Sequence, residues 1–168
     1  MPEDLESFFL DSVVLSNFAL ADALPLLVDR YGARAVLTSE VLDELADGIS
    51  HGYEKLRGIV NLVIDNELST TCLTEDERVG YIELLSNLGS GEASCIVCAR
   101  SRGGVVVTDD KVARKSCLQH RVRFTGTLGI LRSCCVEGAL TDEEADKILE
   151  EMIHRGFYSP INRLSDLL

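Results

Sequence analysis

Gly103-Gly104-Val105-Val106-Val107-Thr108-Asp109-Asp110-Lys111-Val112-Ala113-Arg114-Lys115 is the stretch whose reading decides the fold. Two glycines stop whatever helix precedes them. Three consecutive β-branched apolar residues, with no polar alternation, then read as a short strand buried on both faces, the pattern of a parallel sheet. Thr108, Asp109 and Asp110 stand at its carboxyl end, and a helix is expected from Val112 to Leu118.

Working outward, the same alternation recurs on both sides. Upstream, a helix from Glu92 to about Ser101 follows the turn Gly89-Ser90-Gly91, and its inner residues Ala93, Cys95 and Ala99 are small enough for close approach to a sheet. Thr74 with Glu77 forms a capping box that opens a helix to about Leu88. Strands are expected at Leu68 to Leu73 and Arg34 to Leu37, a helix at Tyr53 to Leu62, and another from Thr38 or Ser39 to about Ile49. Nearer the start, Phe8 to Val14 is an apolar run interrupted by Asp11, and Asn17 to Arg30 has a helical period that predicts one helix. Downstream come a strand at Val122 to Phe124, a helix from Thr125 to Cys135, and a second capping box, Thr141 with Glu144, introducing a helix to His154. A last apolar segment holds Ile161, Leu164, Leu167 and Leu168. Short connections between alternating strands and helices imply a parallel sheet covered on both faces.

Charge and composition restrict the function classes. The formal charge of -12 disfavours tight binding to long duplex nucleic acid through bulk electrostatics. From Arg100 to Arg123, however, seven basic and two acidic residues give a local excess of +5. The acidic start, Met1 to Glu6, does not read as a secretory signal and no apolar run approaches membrane-spanning length, so a cytoplasmic protein with no membrane partner is expected. The six cysteines include one CxxC, Cys95 and Cys98, without a second half that would complete a zinc site, and buried free thiols are expected.

In open parallel sheets the usable crevice lies beyond the carboxyl ends of the strands. Asp11, Glu92 and the pair Asp109 and Asp110 fall at such places, and Glu44 can face the same crevice from its helix. Each acid has a plain structural reading: Asp110 as a helix N-cap, Glu92 as a dipole partner, Glu44 as a solvated residue, Asp11 as a turn former. Together they form a cluster whose mutual repulsion a divalent cation relieves, and all-oxygen ligands suit Mg2+ or Mn2+. Ser12, Ser16, Asn17 and Thr108 are polar neighbours able to orient a carboxylate or a bound water, and Lys111, Arg114 and Lys115 are candidate nucleic-acid contacts. The chain has no phosphate-binding glycine loop of either common kind. Asp11-Ser12-Val13 is not the D-x-D of aspartyl-phosphate enzymes, which leaves a small-molecule phosphohydrolase as a second alternative.

Four stretches carry a resemblance: Phe9-Leu10-Asp11-Ser12-Val13-Val14-Leu15-Ser16-Asn17, Val41-Leu42-Asp43-Glu44-Leu45, Leu88-Gly89-Ser90-Gly91-Glu92-Ala93, and Val107 to Arg114. With Gly126 to Leu131 and the later Ala145 to Phe157, the chain resembles the PIN domain family over nearly its whole length. It is most similar to a prokaryotic branch of predicted nucleic-acid-binding, toxin-like ribonucleases. The resemblance implies a three-layer α/β/α fold with a central, mostly parallel sheet of four to five strands. It also implies a single domain over residues 1–168, with 141–168 as a C-terminal helical extension. It further implies a metal-dependent endoribonuclease using Mg2+ or Mn2+, with Asp11, Glu44, Glu92 and Asp110 as catalytic metal ligands and Asp109 as an alternate or supporting ligand. RNA is then the expected substrate, and an antitoxin or a second copy of the chain the expected protein partner. The main alternative is an RNA-binding or partner-binding module without efficient turnover.

Overall fold

The computed structural model describes residues 5–167, so Leu168 of the last apolar segment and residues 1–4 of the acidic start lie outside the described residues. Five short strands form one sheet: β1 (Phe8–Leu10), β2 (Ala35–Thr38), β3 (Ser69–Thr71), β4 (Val105–Val107) and β5 (Arg123–Thr125). Every neighbouring pair is parallel, in the spatial order β3-β2-β1-β4-β5. The helices are α1 (Ser12–Leu20), α2 (Leu24–Tyr31), α3 (Ser39–Ser50), α4 (Arg57–Ile64), α5 (Glu75–Leu84), α6 (Ser90–Arg102), α7 (Lys111–Gln119), α8 (Thr127–Val136) and α9 (Asp142–His154). They cover the sheet as the outer layers of a three-layer α/β/α fold. None is long and apolar enough to cross a membrane among the described residues.

The three valines of β4 are buried, as their unbroken apolar run requires. Helix α6 packs on β1, β2 and β4, and its small residues Ala93, Cys95, Cys98 and Ala99 are at most 2 % exposed. Helix α9 adds Ala145, Leu149 and Met152 to the same core. All six cysteines are free thiols, four of them buried, but Cys72 is exposed. Burial lifts the Cys95 thiol well above its ordinary pKa, and pushes that of Cys98 up to about 12, so neither is a thiolate at neutral pH.

Several expected boundaries differ from the structure: the helix expected from Tyr53 to Leu62 is a 3-10 turn, Glu54–Leu56, leading into α4, and the strand expected from Leu68 to Leu73 is only Ser69–Thr71. The helix expected from Asn17 to Arg30 is two helices, because the chain turns at Ala21 to Ala23 with Asp22 in a left-handed conformation (φ +55°) and Pro25 in the first turn of α2. The apolar run Phe8 to Val14 is a strand only as far as Leu10; Asp11 stands at the N-cap position of α1 without a side-chain capping bond, and the helix takes the rest. The helix opened by the Thr74 capping box ends at Leu84 instead of near Leu88.

Where the Thr74 box opens α5, Glu77 ties three elements together. One carboxylate oxygen accepts from Arg102 Nε at 2.8 Å and Ser101 Oγ at 2.5 Å, the other from Arg102 Nη2 at 2.8 Å and the Thr74 amide at 2.9 Å. Arg102 also donates to Thr71 Oγ1 and the Cys72 carbonyl, fastening β3 to α5 and α6. The guanidinium holds the Glu77 pKa down at about 2, against 4.5 for a free glutamate. Stability from this carboxylate is therefore full above pH 4.5 and is lost as pH falls toward 2. Glu77→Ala strands Arg102 and is expected to cost about 2 kcal/mol, below the usual range for a fully buried pair because Arg102 is partly solvated. Urea unfolding at pH 7 measures this, and a loss within error of zero would remove the fastening role.

Candidate metal centre

The sheet order reverses between β1 and β4: the chain leaves β1 toward β2 and leaves β4 toward β5, in opposite directions. Diverging crossovers open a crevice beyond the carboxyl ends of the two middle strands. Their register fixes what faces it. Leu10 pairs with Val107, so Asp11 and Thr108 emerge side by side, with the Asp11 amide donating to the Val107 carbonyl at 2.9 Å.

Asp11 is 2 % exposed and has no basic partner among the described residues. Its carboxylate accepts only long bonds, from Thr108 Oγ1 at 3.3 Å and Ser12 Oγ at 3.5 Å. Burial raises its pKa from 3.8 to about 7, with Glu92 and then Glu44 adding repulsion. Glu92 is raised too, by burial and then by Asp110 and Glu44. The sequence-expected acids thus sense one another across four chain segments. None of Asp11, Glu44, Glu92 and Asp110 forms an ion pair among the described residues.

As placed, however, no three acidic, histidine or cysteine side chains among the described residues stand close enough to hold one metal ion. Two acids are turned onto donors of the protein itself. Glu44 accepts from the Gly91 amide at 2.8 Å and Ser90 Oγ at 3.2 Å at the start of α6, and from the Ser12 hydroxyl. Glu92 reaches back to the Gly89 amide at 3.2 Å. Asp110 caps α7 through a 2.7 Å bond from the Ala113 amide to Oδ1, while its own amide donates to Thr108 Oγ1. Thr108 therefore links Asp110 to Asp11, and Ser12 links Asp11 to Glu44.

Asp109 faces elsewhere. Oδ1 accepts from the Thr127 amide at 2.8 Å; Oδ2 accepts from Thr127 Oγ1 at 2.5 Å and Asn17 Nδ2 at 3.3 Å; and the Arg114 guanidinium lies 3.6 Å away. A Cβ at Gly126 would collide with this carboxylate and with Arg114, so the contact needs glycine there. Asn17 and Thr127 bond to each other at 3.2 Å. Asp109 is thus engaged with α1, α7 and α8, and Asp110 is the member of the pair coupled to the acid cluster through Glu92.

The expected nucleic-acid contacts separate. Arg114 donates to the Thr108 carbonyl at 3.0 Å and lies over the Phe124 ring at 5.3 Å. It shares a cavity with Lys111, whereas Lys115 lines a different groove with Arg100 and His120. The residue-by-residue reading gave no site role to Ser90, Gly91 or Thr127. Their signal is positional, since each lies within two residues of a helix start that faces the crevice.

The carboxylate set suits a hard divalent cation: Asp11 is buried, Glu44 and Glu92 are half-buried, Asp110 stands at the open edge, and none of the four has an ion-pair partner among the described residues. A parallel α/β/α protein with an acidic pocket at its switch point is the class these features define. The chain belongs to the PIN domain family: a family model described as PIN domain matches residues 8–168. This is a nuclease fold whose members generally use divalent metal ions and are associated with nucleic acid. No curated protein matches the chain.

Proposed function

We propose that the chain is a metal-dependent endoribonuclease, hydrolysing RNA phosphodiesters with Mg2+ or Mn2+ held by Asp11, Glu44, Glu92 and Asp110. The observation that carries this reading is the Asp11 carboxylate: buried, without a cation, and repelled by two neighbouring glutamates. A divalent ion bound there supplies polarisation of the phosphodiester and a lowered pKa for an attacking water. The chain's own residues set the stage. Asp11 holds a proton below about pH 7 in the metal-free protein and gives it up when positive charge replaces it. The Thr108 hydroxyl orients one Asp11 oxygen, while Ser12 gives its single proton to Glu44 and holds that carboxylate beside Asp11. Each glutamate keeps lone pairs beyond those its backbone-amide bond uses, so Glu44 and Glu92 can ligate an ion while the Gly91 and Gly89 amides support them, once a small shift brings them into reach of Asp11.

Purified protein with Mn2+ is expected to cut single-stranded or folded RNA, assayed beside an active nuclease of the same fold. Failure across a broad RNA panel in which the control cuts would remove the reading. Replacement at Gly91 gives a finer test. A Cβ there would lie 2.7 Å from the Glu44 carboxylate, so Gly91→Ala displaces the tip of a flexible side chain and leaves the fold intact. Mn2+ affinity, read as the ion concentration that raises the melting temperature, is expected to weaken about tenfold, the usual effect of disturbing a ligand's support. Unchanged affinity would exclude Glu44 from the ligand set.

One observation favours a second reading, a nucleic-acid- or partner-binding module without turnover. Glu44 accepts from Gly91 and Ser90 at the start of α6 and from Ser12, so the protein's own donors already supply part of what a metal ion would. RNA binding that is indifferent to both Mn2+ and Asp11→Asn would select it.

A further inference from the structure

A cavity of about 640 Å³ adjoins the Asp109–Asp110 turn, on the side of α7 away from the groove that holds Lys115. Its wall combines basic and aromatic side chains in a way no other cavity described here does. Lys111 and Arg132 line it and enter no ion pair among the described residues. Arg114 is fixed over the Phe124 ring and paired with Asp109, so the one acidic side chain of the wall among the described residues has a cation beside it. The segment after α9 closes the other side with Phe157 and Tyr158. Tyr158 is 88 % exposed, with no apolar partner covering its ring.

Resting on the ribonuclease reading of the neighbouring acids, we propose that this cavity is a nucleotide subsite, holding one unpaired nucleotide of single-stranded RNA next to the scissile phosphate. Tyr158 offers an exposed π-face on which a base stacks, and Lys111 and Arg132 take the adjoining phosphates. The volume falls within the ordinary range for a small-ligand site. Aromatic faces interleaved with cations are how single strands are gripped without sequence reading, because every base has a π-face and duplex bases are already stacked. Position supports the same occupant. Lys111 directly follows Asp110 in the chain, so the rim of this cavity is continuous with one of the candidate metal ligands. On a protein of net charge -12 these cations are a local exception, which limits the grip to a few nucleotides.

The test is fluorescence anisotropy of a short labelled single-stranded RNA in chelator, where no turnover occurs, on the full chain. Tyr158→Ala is expected to weaken binding about tenfold, the size of one lost stacking contact. Tyr158→Phe keeps the ring and should bind as wild type does. Since Tyr158 is exposed, neither change threatens the fold. The double change Lys111→Gln with Arg132→Gln is expected to reduce the slope of log affinity against log salt by about 1.4, the value for two single-strand phosphate contacts. Fully paired RNA should be insensitive to Tyr158→Ala. Wild-type affinity in Tyr158→Ala, or no binding by wild type, overturns the subsite.

Cleavage of the same RNA with Mn2+ separates this inference from the reading beneath it. Cleavage together with Tyr158-independent binding discards the subsite and keeps the nuclease. Absence of cleavage together with Tyr158-dependent binding keeps the groove as a single-strand site and discards the nuclease.

Discussion

Asp11→Asn is expected to lower Mn2+-dependent RNA cleavage by about 10²–10³-fold, the effect of deleting one preorganised charged group from a catalytic site, while making the metal-free protein more stable. Asparagine keeps the shape and still accepts from Thr108, but it removes the charge that Glu92 and Glu44 repel. The direction with pH follows from linkage. The Asp11 pKa is raised from 3.8 to about 7 on folding, so the folded chain holds this proton more tightly than the unfolded one. Below about pH 4 both states are protonated and the residue contributes nothing. Between pH 4 and 7 the unfolded chain ionises first and stability falls; above about 7 the penalty is complete. The shift corresponds to at most about 4 kcal/mol, and water relaxing into the pocket reduces it to about 2 kcal/mol, a gain of several degrees in melting temperature for Asp11→Asn at pH 8. Thermal melts in chelator from pH 4 to 8 check this: the wild type should lose stability across that window and the variant much less. Parallel pH profiles for the two proteins would mean that Asp11 is neither desolvated nor repelled on folding, and the metal site would lose its basis.

The second large effect divides two adjacent residues. Asp109→Ala is expected to cost about 3 kcal/mol in stability, since it leaves the Asn17 amide, the Thr127 amide and hydroxyl, and Arg114 without their shared acceptor. Asp110→Asn should leave stability within about 0.5 kcal/mol, because asparagine caps a helix as well as aspartate does and the bond from Ala113 is kept. Its Mn2+-dependent cleavage should nevertheless fall by about two orders of magnitude. Chemical unfolding and cleavage assays on both variants decide the matter. The reverse pattern, with Asp109 silent in stability and essential in cleavage, would assign the ligand role to Asp109.

Much of the framework was legible in the chain because it is local. The β-branched triplet of β4 and the capping boxes at Thr74–Glu77 and Thr141–Glu144 form where sequence spacing places them, with both arms of each box made. The break between α1 and α2 was missed although Pro25 signalled it. The apolar period continues across Asp22, and periodicity does not register a single left-handed residue. Which carboxylate of Asp109-Asp110 joins the acids was not legible either, because it depends on Thr127 and Asn17 arriving from 18 and 92 residues away. Nor could the chain alone show that Glu44 lies against the bare face of Gly91, 47 residues on.

By itself the sequence determined the strand segments, the capped starts of α5 and α9 and the four separated acids, since those depend on neighbours within a few residues. Strand order, and with it the meeting of β1 and β4 that buries Asp11 beside Thr108, was decided only by the tertiary structure. Pairing between distant strands and the desolvation of a carboxylate are properties of what the chain packs against, and that arises only when the whole fold has closed.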